Sequence, residues 1–363
     1  MTRVLGIMSG TSIDAVDYAL CEVDARRIVL RKYWQVAFPA TLRRRLHEAA
    51  ANGSRTYELG QLHHDLGRFY AEHAAIRGTP KPEIAGLHGQ TVFHDAARGA
   101  TLQIGESSWL ARKLGVPVVS NFRAADLAAG GQGAPLATMF HARVFAERGK
   151  HICVNNLGGI SNVTSLDWRG GSSPRIIAFD TGPANMLIDL AVSRATKRRR
   201  MFDRNGAMAR RGTLDERLLT NLLKHKFFKE KPPKSTGREV FGEAFLARIT
   251  EHAAHIPSAD LVATLTEFTA RSIARNYLLH LPSTPDRVIL CGGGAANPVV
   301  VDAIRANLPA EVVTCDSLGW PTQAIEPAAF ALLAWLRVEG KPGNIPETTG
   351  ASRAVLLGHI TSP

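Results

Sequence analysis

The amino-acid sequence predicts an α/β protein with two domains. Apolar runs of strand length alternate with longer helical patterns, an alternation typical of α/β architectures. A unit of strand, glycine turn and strand at residues 3–20 recurs in form at residues 151–166. The 363 residues also suffice for two domains of about 150 residues each. We therefore place one domain at 1–147 and the other at 148–363, with the last helix a candidate for packing back on the first.

Hydrophobic periodicity and turn residues give the elements of the first half. Three strands are predicted first, at residues 3–6, 16–23 and 28–38. Helices follow at about 41–51 and 58–76, then a short strand at 84–87 that ends at His88-Gly89-Gln90. A helix near 107–114 leads to a last strand at 116–120.

The second half continues the same alternation after its repeated unit. A strand at 175–179 leads to a helix from about Ala184, and a basic, irregular insert follows at 197–238. The remaining predicted elements are helices at 240–254 and 259–281, a strand at 287–290, a helix that starts after Asn297-Pro298, and a helix at about 324–338.

The composition excludes several classes of protein. With 45% hydrophobic and 21% charged residues, the chain is close to the globular average, which excludes a disordered chain, a collagen or a membrane bundle. Its four cysteines include no CxxC pair, so we expect a reducing compartment rather than a disulfide framework or zinc site. We see no signal peptide, and the apolar run 327–336 is too short to cross a bilayer. A cytoplasmic protein without membrane contacts is expected.

The charge is the one unusual quantity. Lys and Arg outnumber Asp and Glu by 44 to 32, a formal charge of +12. Such an excess can indicate nucleic acid, an anionic membrane surface or acidic small molecules. Much of it lies in the 197–238 insert, where the KRRR run at 197–200 has no interleaved aromatic residues and is interpreted as a solvated surface. We therefore expect small anionic ligands and no nucleic-acid partner.

Two glycine turns are candidate phosphate loops. Small side chains let backbone N–H groups approach a phosphate, hydroxyls add donors, and an aspartate can orient Mg²⁺ through water. Each turn alone is more consistent with an ordinary hairpin, but their recurrence in equivalent places favours a shared ligand. The candidates are Gly10, Thr11, Ser12, Ile13, Asp14, Ala15, Val16 and Asp17 in the first turn and Gly158 and Gly159 in the second.

Three further features suggest chemistry. Asp180 ends a strand, where its carboxylate can accept a proton during phosphoryl transfer; the alternative is that it caps the following helix. The run Gly292-Gly293-Gly294 suits either a nucleoside lying against the backbone or a tight helix–strand crossing. Arg123 can clamp a substrate carboxylate or form a buried ion pair that steadies its loop. His88 and His94 lack a third ligand and do not predict a zinc site.

Nine longer motifs occur in order from about residue 6 to residue 351, and together they resemble the anhydro-N-acetylmuramic acid kinase family. They are MSGTSIDAVD, LHGQTVFH, TLQIG, FRAADLAAGGQGAPL, NLGGISNVT, FDTGPANMLID, PPKSTGREVFG, CGGGAANP and TTGA. The resemblance implies two RNase H-like domains of the sugar kinase, Hsp70 and actin type, with an ATP cleft between them. It also implies a bacterial enzyme of peptidoglycan recycling that converts 1,6-anhydro-N-acetylmuramic acid, ATP and water into N-acetylmuramic acid 6-phosphate and ADP.

The resemblance also suggests roles for residues. The two glycine turns would hold the ATP phosphates, Gly292–Gly294 with Asn297 the adenosine, and Asp180 would activate the water. Mg²⁺ would arrive with ATP, and Asp14 is the candidate protein group near it. The predicted sugar contacts are His88, Gln90, Arg123, Asp126 and Glu326, with Arg123 nearest the lactyl carboxylate. A homodimer is compatible with the resemblance.

Four positions depart from the family pattern. Ala15 and Ala184 stand where glycine is expected, Asn121 replaces an aspartate, and Pro327 replaces a small helix former. If either alanine needed a positive φ, its Cβ would cost about 1 kcal/mol. We expect altered affinity rather than lost activity. The competing functions are a kinase of the same superfamily acting on another sugar, and a non-catalytic ATP-gated binding protein.

Overall fold

A computed structural model describes residues 1–10, 12–252 and 255–363. The chain forms two compact units, Met1–Val144 with Gln323–Pro363, and Phe145–Thr322. The first division lies close to the predicted boundary at residue 147. Residues 323–363 belong to the first unit, whereas we assigned all of 148–363 to the second domain with only the last helix as a candidate for packing on the first.

The first unit combines strands and helices from two segments of the chain. From the N-terminus its strands are β1 (Thr2–Ser9), β2 (Ala15–Val23), β3 (Ile28–Ala37), β4 (Ile84–Asp95), β5 (Ala100–Ile104) and β6 (Val118–Ser120). The helices among them are α1 (Ala40–Ala50), α2 (Thr56–His73), α3 (Ser107–Leu114), α4 (Ala124–Ala128) and α5 (Thr138–Phe145).

The second unit and the returning C-terminal segment complete the fold. The second unit has β7 (His151–Leu157), β8 (Ile160–Asp167), β9 (Arg175–Pro183), β10 (Arg287–Cys291) and β11 (Glu311–Thr314). Its helices are α6 (Asn185–Ala195), α7 (Glu216–Leu222), α8 (Arg238–Phe241), α9 (Glu243–His252), α10 (Ser258–His280) and α11 (Pro298–Asn307). The C-terminal segment adds α12 (Ile325–Val338), α13 (Pro346–Thr349) and β12 (His359–Thr361) to the first unit.

The two sheets share one strand plan. In the first unit the order is β12-β6-β4-β1-β2-β3, with β5 paired to β4, and in the second it is β11-β10-β7-β8-β9. In each, the first three strands of the unit are antiparallel neighbours, and the next two strands of the main path run parallel to the first. The repeated strand, turn and strand of the sequence is therefore the start of a repeated sheet, and the predicted two-domain α/β class is confirmed.

Helix α12 packs on the first sheet with almost no space between the backbones. A Cβ at Gly6 would collide with the carbonyl of Pro327, and one at Gly86 with the carbonyl of Phe330. Glycine is therefore required at both strand positions by the close approach of the helix. Pro327 itself lies in the first turn of α12, where no intrahelical N–H is needed.

Three predicted elements differ from the structure. Strand β4 continues through Asp95 instead of ending at Gln90, because β5 pairs with its second half. The helix predicted at 240–254 is two helices, α8 and α9, separated at Gly242, and its end at Ala254 lies outside the described residues. The insert at 197–238 is not irregular throughout, since it contains α7 and the buried Phe227 and Phe228. Among the described helices none is long and apolar enough to cross a membrane.

Candidate active site

Hydrogen bonds hold the turn between β1 and β2 in place. Ser9 shares a 2.8 Å hydrogen bond with the Tyr70 hydroxyl, and the Gln90 side-chain amide donates to the Gly10 carbonyl at 3.2 Å. The Ile13 N–H also donates to Gly10 O, at 3.2 Å, and Ile13 is buried with a left-handed φ of 57°. Ser12 and Asp14 are left exposed. Thr11, a predicted phosphate contact, lies outside the described residues.

The predicted phosphate loop is too long at its C-terminal end. Ala15, Val16 and Asp17 belong to strand β2, and their backbone pairs with β3. Val16 is buried, and the Asp17 carboxylate accepts hydrogen bonds from Tyr33 Oη at 2.5 Å and Gln35 Nε2 at 2.8 Å. Ala15, Val16 and Asp17 are therefore corrected to strand residues. The loop that can face a ligand is residues 10–14, of which residue 11 lies outside the described residues.

Gly10 and Gly293 are required neither by close packing nor by a left-handed backbone. A Cβ at Gly10 would meet no described heavy atom within 4 Å, and one at Gly293 would meet only Asn185 Nδ2 at 4.0 Å. Neither glycine has a left-handed φ. Neither packing nor a left-handed φ requires glycine at these two positions, so both leave room at the backbone that a ligand can use.

The neighbours of Gly293 differ from it. Gly292 has a φ of +80°, and a Cβ at Gly294 would lie 2.7 Å from Leu157 Cβ. These two glycines are required by the tight connection between β10 and the following turn. The tight crossing is thus the correct interpretation for Gly292 and Gly294, and a nucleoside lying against Gly293 stays a prediction.

The second glycine turn is bonded to the start of helix α6. The Gly159 carbonyl accepts the Ala184 N–H at 3.0 Å and the Met186 N–H at 3.1 Å, and Gly158 O accepts the Asn185 N–H at 3.0 Å. Ala184 has a φ of −117°, and Ala15 is not left-handed either. The strain expected from replacing glycine at these two positions is therefore absent.

Asp180 is a strand residue and not a helix cap. It lies within β9 opposite Asn162, while α6 begins after Ala184 without a side-chain cap, so the capping alternative is wrong. Its Oδ2 accepts the Thr236 N–H at 2.8 Å. Burial raises the pKa of Asp180 to about 6; the Thr236 bond opposes this, the Glu239 charge adds to it, and Lys234 lowers it.

The segment 232–239 surrounds Asp180 and was assigned no role from the sequence. Lys234 O accepts the Asp180 N–H at 3.1 Å, and the buried Lys234 Nζ donates to Phe227 O at 3.1 Å. Burial lowers the pKa of Lys234 to about 8. The Thr236 hydroxyl is buried without a partner among the described residues. The sequence signal for this segment is the PPKSTGREVFG motif. The motif alone does not indicate that the segment packs on β9, over fifty residues earlier in the chain.

Arg123 is held by neutral groups. Its Nε and Nη2 lie 3.2 and 2.9 Å from His88 Nε2, and its Nη1 donates to Gly133 O at 2.7 Å. Within the described part of the chain it forms no ion pair, so the buried-pair alternative is wrong. Burial lowers the pKa of Arg123 to about 10, against the opposing charge of Glu326. Arg123 therefore retains a positive charge that a carboxylate ligand can neutralise.

His88 positions Arg123 instead of contacting a ligand. It is buried, and its Nδ1 donates to Gly89 O at 2.8 Å, which leaves Nε2 as the acceptor for Arg123. Burial and the Arg123 charge hold the pKa of His88 well below its usual value. Both ring nitrogens are occupied, so the predicted sugar contact is corrected to a positioning role.

Asp126 and Asn297 are structural residues. Asp126 is fully buried, and its carboxylate accepts bonds of 2.7 Å from Gly133 N, Asn344 Nδ2 and Thr349 Oγ1. Asn297 caps α11 by accepting the Val299 N–H at 3.1 Å, and its Nδ2 donates to Asp203 O at 3.3 Å. Their predicted roles in sugar and adenosine binding are corrected, because the protein itself occupies their polar atoms.

Glu326 and Gln90 keep groups available for a ligand. Glu326 is exposed at the start of α12; desolvation and the Asp17 charge raise its pKa, while Arg123 opposes them. Gln90 is fully buried, and its Oε1 has no hydrogen-bond partner in the described structure.

Mg²⁺ fits this site as a companion of ATP rather than as a caged ion. In the ranges the structure describes, no group of three or more His, Cys, Asp or Glu side chains is arranged to hold a metal. Mg²⁺ commonly keeps several waters and binds through substrate phosphates with one or two carboxylates. The exposed Asp14 is the carboxylate that the first loop offers. The four cysteines are buried free thiols.

A carboxylate with a raised pKa and backbone loops with room for a ligand, carried on two matching α/β sheets, are typical of a phosphotransferase. Comparison with known proteins is specific. The family model "Anhydro-N-acetylmuramic acid kinase" matches residues 2–363. The chain belongs to this family.

Its relatives match it from end to end. The anhydro-N-acetylmuramic acid kinase of Gloeobacter violaceus is 45% identical over 99% of this chain and 98% of its own, and that of a Picosynechococcus species is 40% identical over 99% and 100%. A solved structure, the activator of the 2-hydroxyisocaproyl-CoA dehydratase from Clostridium difficile with bound ADPNP, is 12% identical with a TM-score of 0.45, covering 93% of this chain and 96% of that one.

Proposed function

We propose that this chain converts 1,6-anhydro-N-acetylmuramic acid, ATP and water into N-acetylmuramic acid 6-phosphate and ADP, with Asp180 as the base. As a member of its family, the chain is an ATP-dependent anhydro-N-acetylmuramic acid kinase of peptidoglycan recycling. The assignment of residues to the two halves of the reaction, ring hydrolysis and phosphoryl transfer, is our proposal. The cytoplasmic location, the homodimer and an ATP cleft between the domains stay predictions.

The proposed mechanism depends on the protonation state of the Asp180 carboxylate. Thr236 N–H binds Oδ2, whereas Oδ1 has no hydrogen-bond partner among the described residues and can accept a proton. With a pKa of about 6, Asp180 is ionised at neutral pH yet more basic than an ordinary aspartate, which suits a general base. Asp180 takes a proton from water, and the oxygen of that water bonds to the anomeric carbon.

The bond from the anomeric carbon to the bridging oxygen breaks in the same event. The released O6 carries the electron pair of that bond and bonds to the γ-phosphorus of ATP, while ADP leaves. Because O6 takes a phosphoryl group instead of a proton, no second acid is needed, unlike in an ordinary glycosidase. Phosphoryl transfer then depends mainly on positioning and charge neutralisation.

The glycine loops suit ATP, and the Arg123 guanidinium suits the carboxylate of the sugar. Gly10 and Gly293 leave space at the backbone, and with Ser12 they can donate to or lie against ATP. Bound Mg²⁺ would neutralise phosphate charge, with Asp14 as the group near it. Arg123, oriented by His88, would hold the lactyl carboxylate, and Gln90 and Glu326 offer acceptors to the sugar hydroxyls.

The decisive experiment follows products in ¹⁸O-labelled water. Wild-type protein with ATP and the anhydro sugar should give N-acetylmuramic acid 6-phosphate labelled at the anomeric hydroxyl, as read by mass spectrometry. Asp180→Asn should lower kcat by roughly 10²–10⁴, the usual contribution of a general base. Asp302→Asn, in an exposed ion pair with Arg305, should be unaffected. Full activity of Asp180→Asn, or an unlabelled anomeric oxygen, would contradict the proposal.

A further inference from the structure

A second candidate binding site lies in the second unit, beside the end of helix α6. It is a cavity of about 760 Å³, within the range of about 300–1,000 Å³ typical of small-molecule sites. Its walls come from the end of α6, the segments 196–200 and 207–211, and the start of α10. None of the residues that we assign to ATP or to the sugar lines it.

The lining of this cavity is strongly cationic. Lys197, Arg199, Arg200 and Arg211 all contribute to it, and none of the described residues that line it is acidic. Within the described ranges, none of the four forms an ion pair. The carboxylates nearest along the chain are bonded elsewhere: Asp203 accepts the Met208 and Ala209 N–H groups, and Asp260 accepts the Thr213 N–H. The positive charge is therefore not neutralised by the protein.

The backbone that carries these cations is fixed in an unfavourable conformation. Lys197 and Arg198 have left-handed φ values of 50° and 63°, which cost roughly 1–2 kcal/mol for each non-glycine residue. The segment is nonetheless well bonded, because the Arg198 N–H donates to Ser193 O at 2.7 Å and the Arg200 N–H to Thr196 Oγ1 at 3.1 Å. The side chains of residues 197–200 are exposed, as predicted for a solvated surface, and these hydrogen bonds fix the backbone that carries them beside the cavity.

Apart from Thr196, the rest of the lining is apolar. Ala195, Ala207, Met208 and Ala259 complete the walls, and the exposed side chains of Met201 and Phe202 follow directly in the chain. Inorganic phosphate would satisfy the charge but leave this surface uncovered. A ligand that joins phosphate groups to a less polar body matches the whole cavity.

We propose that this cavity is a binding site for a small phosphorylated metabolite, separate from the active site. Arg199 and Arg200 hold the phosphate through charge-assisted hydrogen bonds, and the alanine and methionine wall covers the body of the ligand. The proposal explains the KRRR run, which neither ATP nor the anhydro sugar requires.

Calorimetric titration of the full chain tests the proposal. The active site is first filled with a non-hydrolysable ATP analogue and 1,6-anhydro-N-acetylmuramic acid, and the probes are then pyrophosphate and N-acetylmuramic acid 6-phosphate. At least one probe should still bind the wild-type protein. If pyrophosphate binds as tightly as the sugar phosphate, charge dominates; tighter binding of the sugar phosphate shows that the apolar wall contributes.

Variants separate a specific site from general basicity. The double variant Arg199→Gln/Arg200→Gln should weaken probe binding by on the order of a hundredfold, since each charge-assisted bond contributes about a factor of ten. The matched control Arg43→Gln/Arg44→Gln removes the same charge from exposed positions on α1 and should leave binding unchanged. Equal loss in both variants, displacement by the ATP analogue, or no binding of either probe to wild-type protein would each overturn the proposal.

Discussion

We expect the environment of Asp180, the proposed base, to determine the pH range in which the enzyme works. A base must be deprotonated, so kcat/KM should fall as pH drops through the pKa of about 6 and stay level above it until another group titrates. An unperturbed aspartate would place this limb near pH 4. The measurement is a pH profile of kcat/KM for the anhydro sugar with ATP saturating.

A neighbouring carboxylate provides the control for this assignment. The Glu239 charge raises the pKa of Asp180, so Glu239→Gln should move the acidic limb to lower pH. Asp302→Gln, on the exposed face of α11, should leave it in place. An acidic limb near pH 4 in the wild-type protein would show that the pKa of the base is not raised, and a limb unmoved in Glu239→Gln would show that another group controls the reaction.

The sequence located residues better than it assigned their roles. Asp180 was singled out because it follows the apolar run 175–179 in the sequence, and its role as the base stays a proposal. Asp126 and His88 were misassigned because their partners, Asn344, Thr349 and Arg123, are distant along the chain. A polar residue in a motif gives no sign of whether the protein or a ligand occupies its hydrogen-bonding atoms.

At the scale of elements, the loops after β1 and β10 distinguish glycines needed by the fold from those available to a ligand. Gly10→Ala and Gly293→Ala should leave the free energy of unfolding within about 0.5 kcal/mol of wild type. The added methyl meets open space, and neither residue has a left-handed φ. The same methyl should obstruct the nucleotide and raise the KM for ATP by on the order of tenfold, the equivalent of about 1.4 kcal/mol. Steady-state kinetics and chemical denaturation measure the two effects.

Two other glycines serve as opposite controls. In Gly294→Ala the new Cβ meets Leu157, and overpacking of this kind typically costs about 1–3 kcal/mol. Gly170→Ala lies in open space away from both loops and should change neither quantity. If Gly10→Ala and Gly293→Ala lost stability while keeping the wild-type KM for ATP, the glycines would have a structural role after all.

Element boundaries were predictable where local pattern alone decides them. Helix α3 was predicted at its observed limits, because a strongly amphipathic segment ends there at a glycine with left-handed φ. Strand β5 was missed, since it exists by pairing with β4 and has little pattern of its own. The break between α8 and α9 was missed because a single glycine within a helical pattern is usually tolerated.

At the scale of the whole molecule, the sequence predicted a duplicated plan but not the path of the chain. The repeated strand, turn and strand indicated two related sheets, and both have the same order and directions. The return of residues 323–363 to the first unit was only a candidate, because α12 is apolar on nearly every face. Such a pattern predicts that the helix is buried, but it does not indicate which sheet the helix packs on.

The returning segment makes the first unit dependent on the end of the chain. The large apolar side chains that α12 buries are Ile325, Phe330, Leu332, Leu333, Trp335 and Leu336. Their burial contributes roughly 10 kcal/mol, which is comparable with the whole stability of a typical domain. A chain ending at Thr322 should therefore lose the folded first unit. The second unit should persist, because the members of its core cluster all lie between Cys153 and Val312.

Limited proteolysis with mass spectrometry of the fragments tests this dependence. The chain ending at Thr322 should be cut rapidly throughout residues 1–144, and a resistant fragment covering about 145–322 should accumulate. A control chain ending at Gly358 loses only edge strand β12 and the residues after it but keeps α12, so both units should remain resistant. Protection of residues 1–144 without α12 would show that the first sheet is stable alone, and loss of both units would show that the second core is not self-sufficient.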